Sequence, residues 1–287
     1  MTVVTRFAPS PTGRLHLGHA YAAILAHAAS RDACGRFLLR IEDIDSGRCR
    51  QEYIDGIEED LRWLGLDWDG AARRQSAHAA DYRAVLAALR ARELIYPCFC
   101  TRGDIAAALA APHEGCAGAG RDPYGAPLYP GTCRAQPDAA RKLAAGLPHA
   151  WRLDMARAVA EAGEGLFFVE QGYGNVACAP GRFGDVVLGR KDCPVSYHLC
   201  VTHDDAVQGV TLVTRGEDLR PATDVHRLLQ ALMGWDAPSY RHHALLTDSS
   251  GRRLAKRDEE ATLASLRANG RTAAEVRAMA TARAQGR

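Results

Sequence analysis

Arg6-Phe7-Ala8-Pro9-Ser10-Pro11-Thr12-Gly13, running on through Arg14-Leu15 to His16-Leu17-Gly18-His19, is the stretch whose reading decides the fold. It grows out of a short β-rich run, Val3-Val4-Thr5-Arg6-Phe7, and leads into a small-residue helix predicted from about His19 to Ala29. A strand that passes through a Pro/Gly loop into a helix is where an open α/β sheet binds its ligands. Helix N-termini offer N–H groups and a positive dipole end to phosphates, and Gly18 lets a nucleotide approach the backbone closely. His16 and His19 around that glycine therefore read as phosphate-facing residues, although an HxxH alone also fits ordinary surface or packing histidines.

Outward from this stretch the grammar continues. Arg36 to Ile41 reads as a second strand, and Gln51 to Leu64 puts Ile54, Ile57, Leu61 and Leu64 on one helical face. Tyr82, Val85, Leu86 and Leu89 do the same in the next helix, so a parallel sheet covered by helices follows. From Ile95 to about Pro137 the texture turns to Cys, Pro, Gly and aromatics with weak periodicity, an insertion held by something other than a large apolar core. Strands are then expected at Gly184 to Leu188, Leu199 to Val201 and Val210 to Val213. A helix with Val225, Leu228, Leu229 and Leu232 on one face follows, and the Ala- and Arg-rich tail beyond about Glu259 has helical spacing without a domain of its own.

The 287 residues limit the chain to one large or two modest domains, and 47% hydrophobic with 24% charged residues is ordinary globular composition. No segment approaches the ~20 apolar residues of a membrane span, and MTVVTRFAPSPTG lacks the features of a signal peptide, which points to a cytosolic protein. Nine cysteines in such a chain are expected to be reduced thiols, some of them available to a metal, rather than a disulfide framework. A net charge of +2 leaves nucleic-acid binding to local basic surfaces, for which Arg73-Arg74 and the C-terminal tail are candidates. Of 36 basic residues only Lys142, Lys191 and Lys256 are lysines, compact point charges in a chain that otherwise writes its cations as Arg.

Three further constellations bear on chemistry. Arg6 and Arg215, the latter in Thr214-Arg215-Gly216-Glu217-Asp218, offer forked donors suited to a carboxylate, and Glu42 in Leu39-Arg40-Ile41-Glu42-Asp43 offers an anion just past a strand. A surface ion pair is the plainer reading of Arg40 and Glu42. Lys256, in Arg253-Leu254-Ala255-Lys256-Arg257, reads in isolation as part of a solvated basic turn. Cys98-Phe99-Cys100 with Cys133 downstream suggests a thiolate metal site or simply buried cysteines, whereas Cys34, Cys49, Cys178, Cys193 and Cys200 have no ligand spacing and read as small apolar residues. No Ser-His or Cys-His nucleophile pair is evident.

Together these residues resemble a known family. Arg6 to His19 is similar to the signature of class I aminoacyl-tRNA synthetases, and its RFAPSPTG form resembles the glutamyl branch, with Leu17 where other members often carry Ile. The resemblance implies that His16 and His19, with Gly18, steady the phosphates of ATP during adenylate formation. The Arg253 to Arg257 loop is similar to the family's second signature, with Arg in its first position and Ala where Ser is common. Lys256 then falls on the second lysine of that signature, where a point cation stabilises a pentavalent α-phosphoryl group and departing pyrophosphate. The resemblance assigns glutamate recognition to Arg6, Phe7, Ala8, Pro9, Ser10, Glu42, Tyr197 and Arg215. It also implies one structural Zn2+ per chain on Cys98, Cys100, Tyr129 and Cys133, and Mg2+ arriving with ATP. The interval from Cys100 to Tyr129 is long, and His113 and Cys116 within it are alternative ligands to Tyr129.

The implied fold is α/β: a class I synthetase Rossmann-type parallel sheet with a zinc-stapled insertion and a short helical C-terminal region. Residues 1–94 would form the first half of the catalytic domain, 95–182 the insertion or acceptor-like subdomain, 183–235 the second half, and 236–287 the Lys loop and helical end. Residues 257–287 are fewer than the about 40 needed for an independent core, so no anticodon-binding domain is expected. In this the chain resembles the stand-alone catalytic cores of the glutamyl-queuosine tRNA(Asp) synthetase family. That resemblance implies ATP-dependent, tRNA-independent activation of L-glutamate and its transfer to queuosine in the anticodon of tRNA(Asp). It implies His16, His19 and Lys256 as the catalytic set, and ATP, L-glutamate and the tRNA(Asp) anticodon stem-loop as partners. A cytoplasmic monomer without membrane contact completes the expectation. The alternatives are a truncated glutamyl-tRNA synthetase charging a tRNA 3′ end and a non-catalytic glutamate or nucleotide sensor of the same fold.

Overall fold

The computed structural model describes residues 2–110, 120–193, 195–246 and 262–284. Lys256, His113 and Cys116 lie outside the described residues. The chain opens with β1 (Val4–Phe7), α1 (Leu17–Arg31) and β2 (Arg36–Ile41), the two strands pairing in parallel with Val4 opposite Arg36 and Phe7 opposite Leu39. Helix α1 starts at Leu17, ahead of the expected His19, because the His16 ring caps it by accepting the Gly18 N–H at 3.1 Å. Small buried residues, Ala20, Ala23 and Ala26, let α1 lie close against the strands.

After α2 (Gln51–Trp63), the two-residue β3 (Arg73–Arg74) adds in parallel to β2, and α3 (Ala79–Ala91) follows. The insertion contains β4 (Ile95–Cys98), α4 (Arg102–Ala110), α5 (Ala139–Ala144), β5 (Ala150–Leu153), α6 (Met155–Ala162), β6 (Phe167–Glu170) and β7 (Gly174–Ala177). Then come β8 (Val187–Gly189), α7 (Tyr197–Val207), β9 (Leu212–Gly216), α8 (Thr223–Met233) and β10 (Ser239–His243). Helix α8 stops where Gly234 takes the left-handed conformation, φ +66°, that a side chain disfavours. Strand β9 pairs in parallel with β10, and β6 joins β10 on its other side, carrying the β6–β7 hairpin into the same four-stranded sheet. The Thr211 N–H donates to the Val4 carbonyl at 3.0 Å, so β9 runs beside β1. Strands β4, β5 and β8 form a separate antiparallel sheet.

One expectation fails. Leu199 to Val201, read as a strand, lies inside helix α7. A short apolar run does not distinguish the two periods. Here Leu199, Cys200, Val201, Thr202, His203, Asp204 and Asp205 are all buried, so the middle of the helix is enclosed on every side and its acids are inside the protein.

The apolar interior is divided into two large cores. One joins α1, β1, β2 and α2 to Leu263, Val276 and Ala280, so α9 (Leu263–Ala268) and α10 (Ala273–Ala284) pack on the first unit, as the tail's helical spacing implied. The other gathers α3, α6, α7 and α8 around Leu86, Leu188, Leu199 and Leu228. Among the described residues no helix is long and apolar enough to cross a membrane.

Candidate active site

The loop after β1, the end of β2, the start of α7 and the end of β9 converge on one cavity of about 700 Å³. Its walls contain Arg6, Phe7, Ala8, Pro9 and Ser10 from the first loop, His16, Gly18 and His19 from the start of α1, and Glu42, Tyr197 and Arg215 from the other elements. This is the crevice beyond the carboxyl ends of parallel strands, between neighbouring β1 and β9, where α/β sheets hold ligands. The structure thus brings together every described residue that the sequence singled out for nucleotide or glutamate chemistry. Thr214, Gly216, Asp218, Tyr21, Leu245 and Leu246 complete much of the lining and had not been singled out.

The arginines in this wall fall into two electrostatic classes. Arg6 Nε and Arg40 Nη1 both donate to one oxygen of Asp205, at 2.9 and 2.8 Å, and Arg6 Nη1 also donates to the Thr214 carbonyl. Arg40 is fully buried and its Nε lies 3.9 Å from both Glu42 and Asp204, so the surface ion pair considered for Arg40 and Glu42 is instead an interior cluster. Asp205 stays below the usual carboxylate range because the two guanidiniums outweigh the effect of burial. Glu42 goes the other way: burial dominates over Arg40 and Arg6 and pushes its carboxyl up to about 7.

Arg215 has a different setting. Its Nε donates to His242 Nε2 at 3.2 Å, Nη2 to Thr223 Oγ at 2.7 Å, and Nη1 lies 3.1 Å from His226 Nδ1. His242 Nδ1 is 2.6 Å from Glu170, and His226 Nε2 is 3.2 Å from His198 Nδ1. Tyr197 leans on this group, its ring 5.7 Å from those of His198 and His226, and desolvation raises its phenol to about 12. Sequence reasoning missed Asp205, Thr223, His226, His242 and Glu170. The available signal was polar residues interrupting apolar segments, as Arg40 does in Arg36-Phe37-Leu38-Leu39-Arg40-Ile41.

At the phosphate-facing end the His16 N–H donates to His19 Nδ1 at 3.2 Å while His16 Nδ1 accepts from Gly18. With both Nδ1 atoms accepting, each ring's Nε2 is the nitrogen left to carry a proton. The rings stand 3.9 Å apart. Leu246 lines the cavity and Thr262 bridges to His16, so the chain on either side of the Lys256 segment is anchored at this end. Arg73, proposed for phosphate contact, is instead tied to buried Asp204 at 2.9 Å, and Arg74 is paired with Asp43 at 2.9 Å.

In the insertion, Cys98, Cys100 and Cys133 present their sulfurs within 4.8 Å of one another. The Tyr129 hydroxyl is 3.3 Å from Cys98 Sγ and 3.6 Å from Cys100 Sγ, and Cys100 and Cys133 sulfurs are 3.4 Å apart. A tetrahedral ion with Zn–S bonds of about 2.3 Å has ligand-to-ligand edges of about 3.8 Å, so these separations suit one metal. Burial pushes the Cys100 thiol up to about 11 and raises the Tyr129 phenol, which makes a cation the natural means of removing their protons. Lys191 Nζ donates to the Phe99 and Cys100 carbonyls at 2.8 and 2.9 Å and braces the loop. Of the cysteines without ligand spacing, Cys193 and Cys200 are buried, whereas Cys34 is exposed in a turn with φ +50°.

Comparison with known proteins agrees with this geometry. Residues 2–281 match the family described as tRNA synthetases class I (E and Q), catalytic domain. The glutamyl-Q tRNA(Asp) synthetase of Rhodobacter capsulatus is 49% identical over 284 residues, 96% of this chain and 98% of the relative. That of Nitratidesulfovibrio vulgaris is 42% identical, covering 94% of this chain and 83% of the relative. The crystal structure of the glutamate-tRNA synthetase from Elizabethkingia anophelis superposes with a TM-score of 0.74 at 28% identity, over 91% of this chain and 54% of that one. The chain therefore spans about half the length of that solved synthetase. It belongs to the class I tRNA synthetase family for E and Q, as a catalytic domain of that family.

Proposed function

We propose that this chain activates L-glutamate with ATP, without tRNA, and transfers the glutamyl group to queuosine in the anticodon of tRNA(Asp). The observation that carries the reading is one cavity in which two arginines, an acid and a capped helix start face one another. In this reading Arg215 receives the charge of the substrate's side-chain carboxylate, Arg6 adds a hydrogen-bond donor beside it, and Glu42 accepts from its ammonium. Tyr197 and Ser10, with the Phe7, Ala8 and Pro9 backbone turn, shape the amino-acid end. His16 and His19 hold ATP phosphates over the α1 N-terminus, where Gly18 leaves room. Lys256 supplies a compact positive charge to the α-phosphoryl group as pyrophosphate leaves. Bond formation needs no protein nucleophile, because the α-carboxylate of glutamate attacks phosphorus and the protein contributes alignment and charge stabilisation.

Queuosine as acceptor is supported by the names of the relatives at 49% and 42% identity, which are glutamyl-Q tRNA(Asp) synthetases. Mg2+ accompanies ATP as counter-charge to its phosphates. The Cys98, Cys100, Tyr129 and Cys133 set holds one structural zinc, which staples an insertion that has only a small apolar cluster there. The protein works as a monomer in the cytoplasm, where reduced thiols suit the metal site. Incubation with ATP, labelled glutamate and tRNA(Asp) with or without queuosine tests the reading. Label confined to the queuosine-containing tRNA, and retained when the 3′ adenosine is removed, is expected. Equal labelling of both tRNAs, or loss with the 3′ adenosine, would overturn it, and absence of glutamate-dependent pyrophosphate exchange would favour a sensor.

A further inference from the structure

Arg215 is surrounded by neutral acceptors. Thr223 is a hydroxyl, and burial with the Arg215 charge holds His226 well below its ordinary pKa and His242 down at about 4, so both imidazoles are uncharged. Among the described residues no carboxylate lies within 4.0 Å of the Arg215 guanidinium, whereas Arg6 and Arg40 share Asp205. Burying a cation without a counter-ion is costly, and chains usually place an acid beside it. The acid nearest in this network, Glu170, is one residue removed and reaches Arg215 only through His242.

That placement fixes tautomers. His242 keeps its proton on Nδ1 and donates that N–H to Glu170, which leaves Nε2 to accept from Arg215 Nε. His226 accepts from Arg215 at Nδ1, so its proton sits on Nε2 and is donated to His198 Nδ1, itself held neutral with a pKa lowered to about 4 by burial and by Arg215. Each imidazole therefore orients the fork without cancelling its charge. A carboxylate in the same position would orient it equally well and leave nothing to attract an anion.

We propose that His226 and His242 are specificity-determining positioning residues: they aim Arg215 through neutral hydrogen bonds and thereby keep its full charge for a substrate whose side chain ends in a carboxylate. Glu170 and His198 act behind them by setting the tautomers. The inference rests on the glutamate-site reading above and adds the origin of its preference for an anion over the isosteric amide.

The test compares His226→Asn with His226→Asp, measuring binding of L-glutamate and L-glutamine by calorimetry and glutamate-dependent pyrophosphate exchange. His226→Asn supplies a neutral acceptor and is expected to keep the glutamate Kd within about threefold. His226→Asp puts an anion against Arg215 and is expected to weaken glutamate by about 30-fold or more, with kcat within about threefold and glutamine little affected. A role in folding alone would move both variants and both ligands together. Thr223→Asp, with Thr223→Ser as its neutral control, repeats the comparison on the other edge of the fork should His226→Asp fail to fold. Equal glutamate affinity in the neutral and anionic variants overturns this inference and leaves the glutamate reading standing. Failure of the native protein to bind glutamate overturns both.

Discussion

Asp205→Asn isolates charge from geometry at the centre of the site. One oxygen of Asp205 accepts from Arg6 at 2.9 Å and from Arg40 at 2.8 Å, and an asparagine carbonyl can keep both hydrogen bonds while losing the negative charge. Arg6 is 6% and Arg40 0% exposed, so water cannot take over the lost counter-charge. Arg40 retains Glu42 and Asp204 at 3.9 Å, whereas Arg6 has no other carboxylate partner among the described residues. Removing one partner of a buried ion pair costs about 3–5 kcal/mol, and the remaining acids and the retained hydrogen bonds place this case near about 3 kcal/mol. At about 2–4 °C per kcal/mol for a chain of this size, the melting temperature should fall by about 6–12 °C. Thermal denaturation followed by circular dichroism at pH 7.5 measures it, with Asp205→Ala, which also loses the hydrogen bonds, expected to fall further. A drop below about 2 °C for Asp205→Asn would show that the two guanidiniums do not depend on this charge, and the electrostatic account of the wall would be wrong.

Four further outcomes are expected. Glu42, raised to about 7 by burial, must be ionised to hold an ammonium, so the glutamate KM should rise about tenfold from pH 8 to pH 6 and become flat in Glu42→Gln. The same shift has a stability sign: the folded-state pKa lies above the about 4.3 of an unfolded chain, so Glu42 favours the fold at low pH and that contribution is lost as pH rises through about 7. In Gly18→Ala a Cβ would stand 3.0 Å from His16 Cε1 and 3.1 Å from Nδ1, so the ring must shift. The KM for ATP should then rise about tenfold while melting changes by less than about 4 °C, and an unchanged KM counts against the phosphate role. Purified protein should contain about one zinc, and Cys100→Ser should retain less than about 0.2 by elemental analysis; equal metal content in both would exclude the cluster. Lys256→Ala should lower pyrophosphate exchange by about 100-fold or more without changing the melting temperature, and undiminished exchange would refute its role.

Much of the scaffold was legible because its elements carry their own periodicity. Arg36 to Ile41 is the strand the pattern gave, α2 and α3 bury the faces read from their spacing, and β9 and α8 follow their apolar runs. Helix α7 was misread because its apolar stretch is too short to reveal a period and its acids are hidden by partners elsewhere in the chain. The β6–β7 hairpin and β10 were not anticipated: β7 is largely exposed and β10 is Ser-Tyr-Arg-His-His, a strand whose polar side chains have interior partners, as His242 has in Glu170.

By itself the sequence determined the local chemistry: histidines and a glycine at a helix start, a closely spaced pair of thiols in Cys98 and Cys100, and the charges of Arg6, Arg40 and Arg215. The spacings within the first two depend on neighbours within a few residues, where the covalent chain dictates distance. Only the tertiary structure decided which of those charges is available. Arg6 meets Asp205 across 199 positions and Arg40 meets it across 165, so both are compensated, whereas Arg215 meets two histidines and a threonine and, among the described residues, no carboxylate. Compensation is a matter of ångströms through a medium from which water is excluded, and no spacing along the chain encodes that distance.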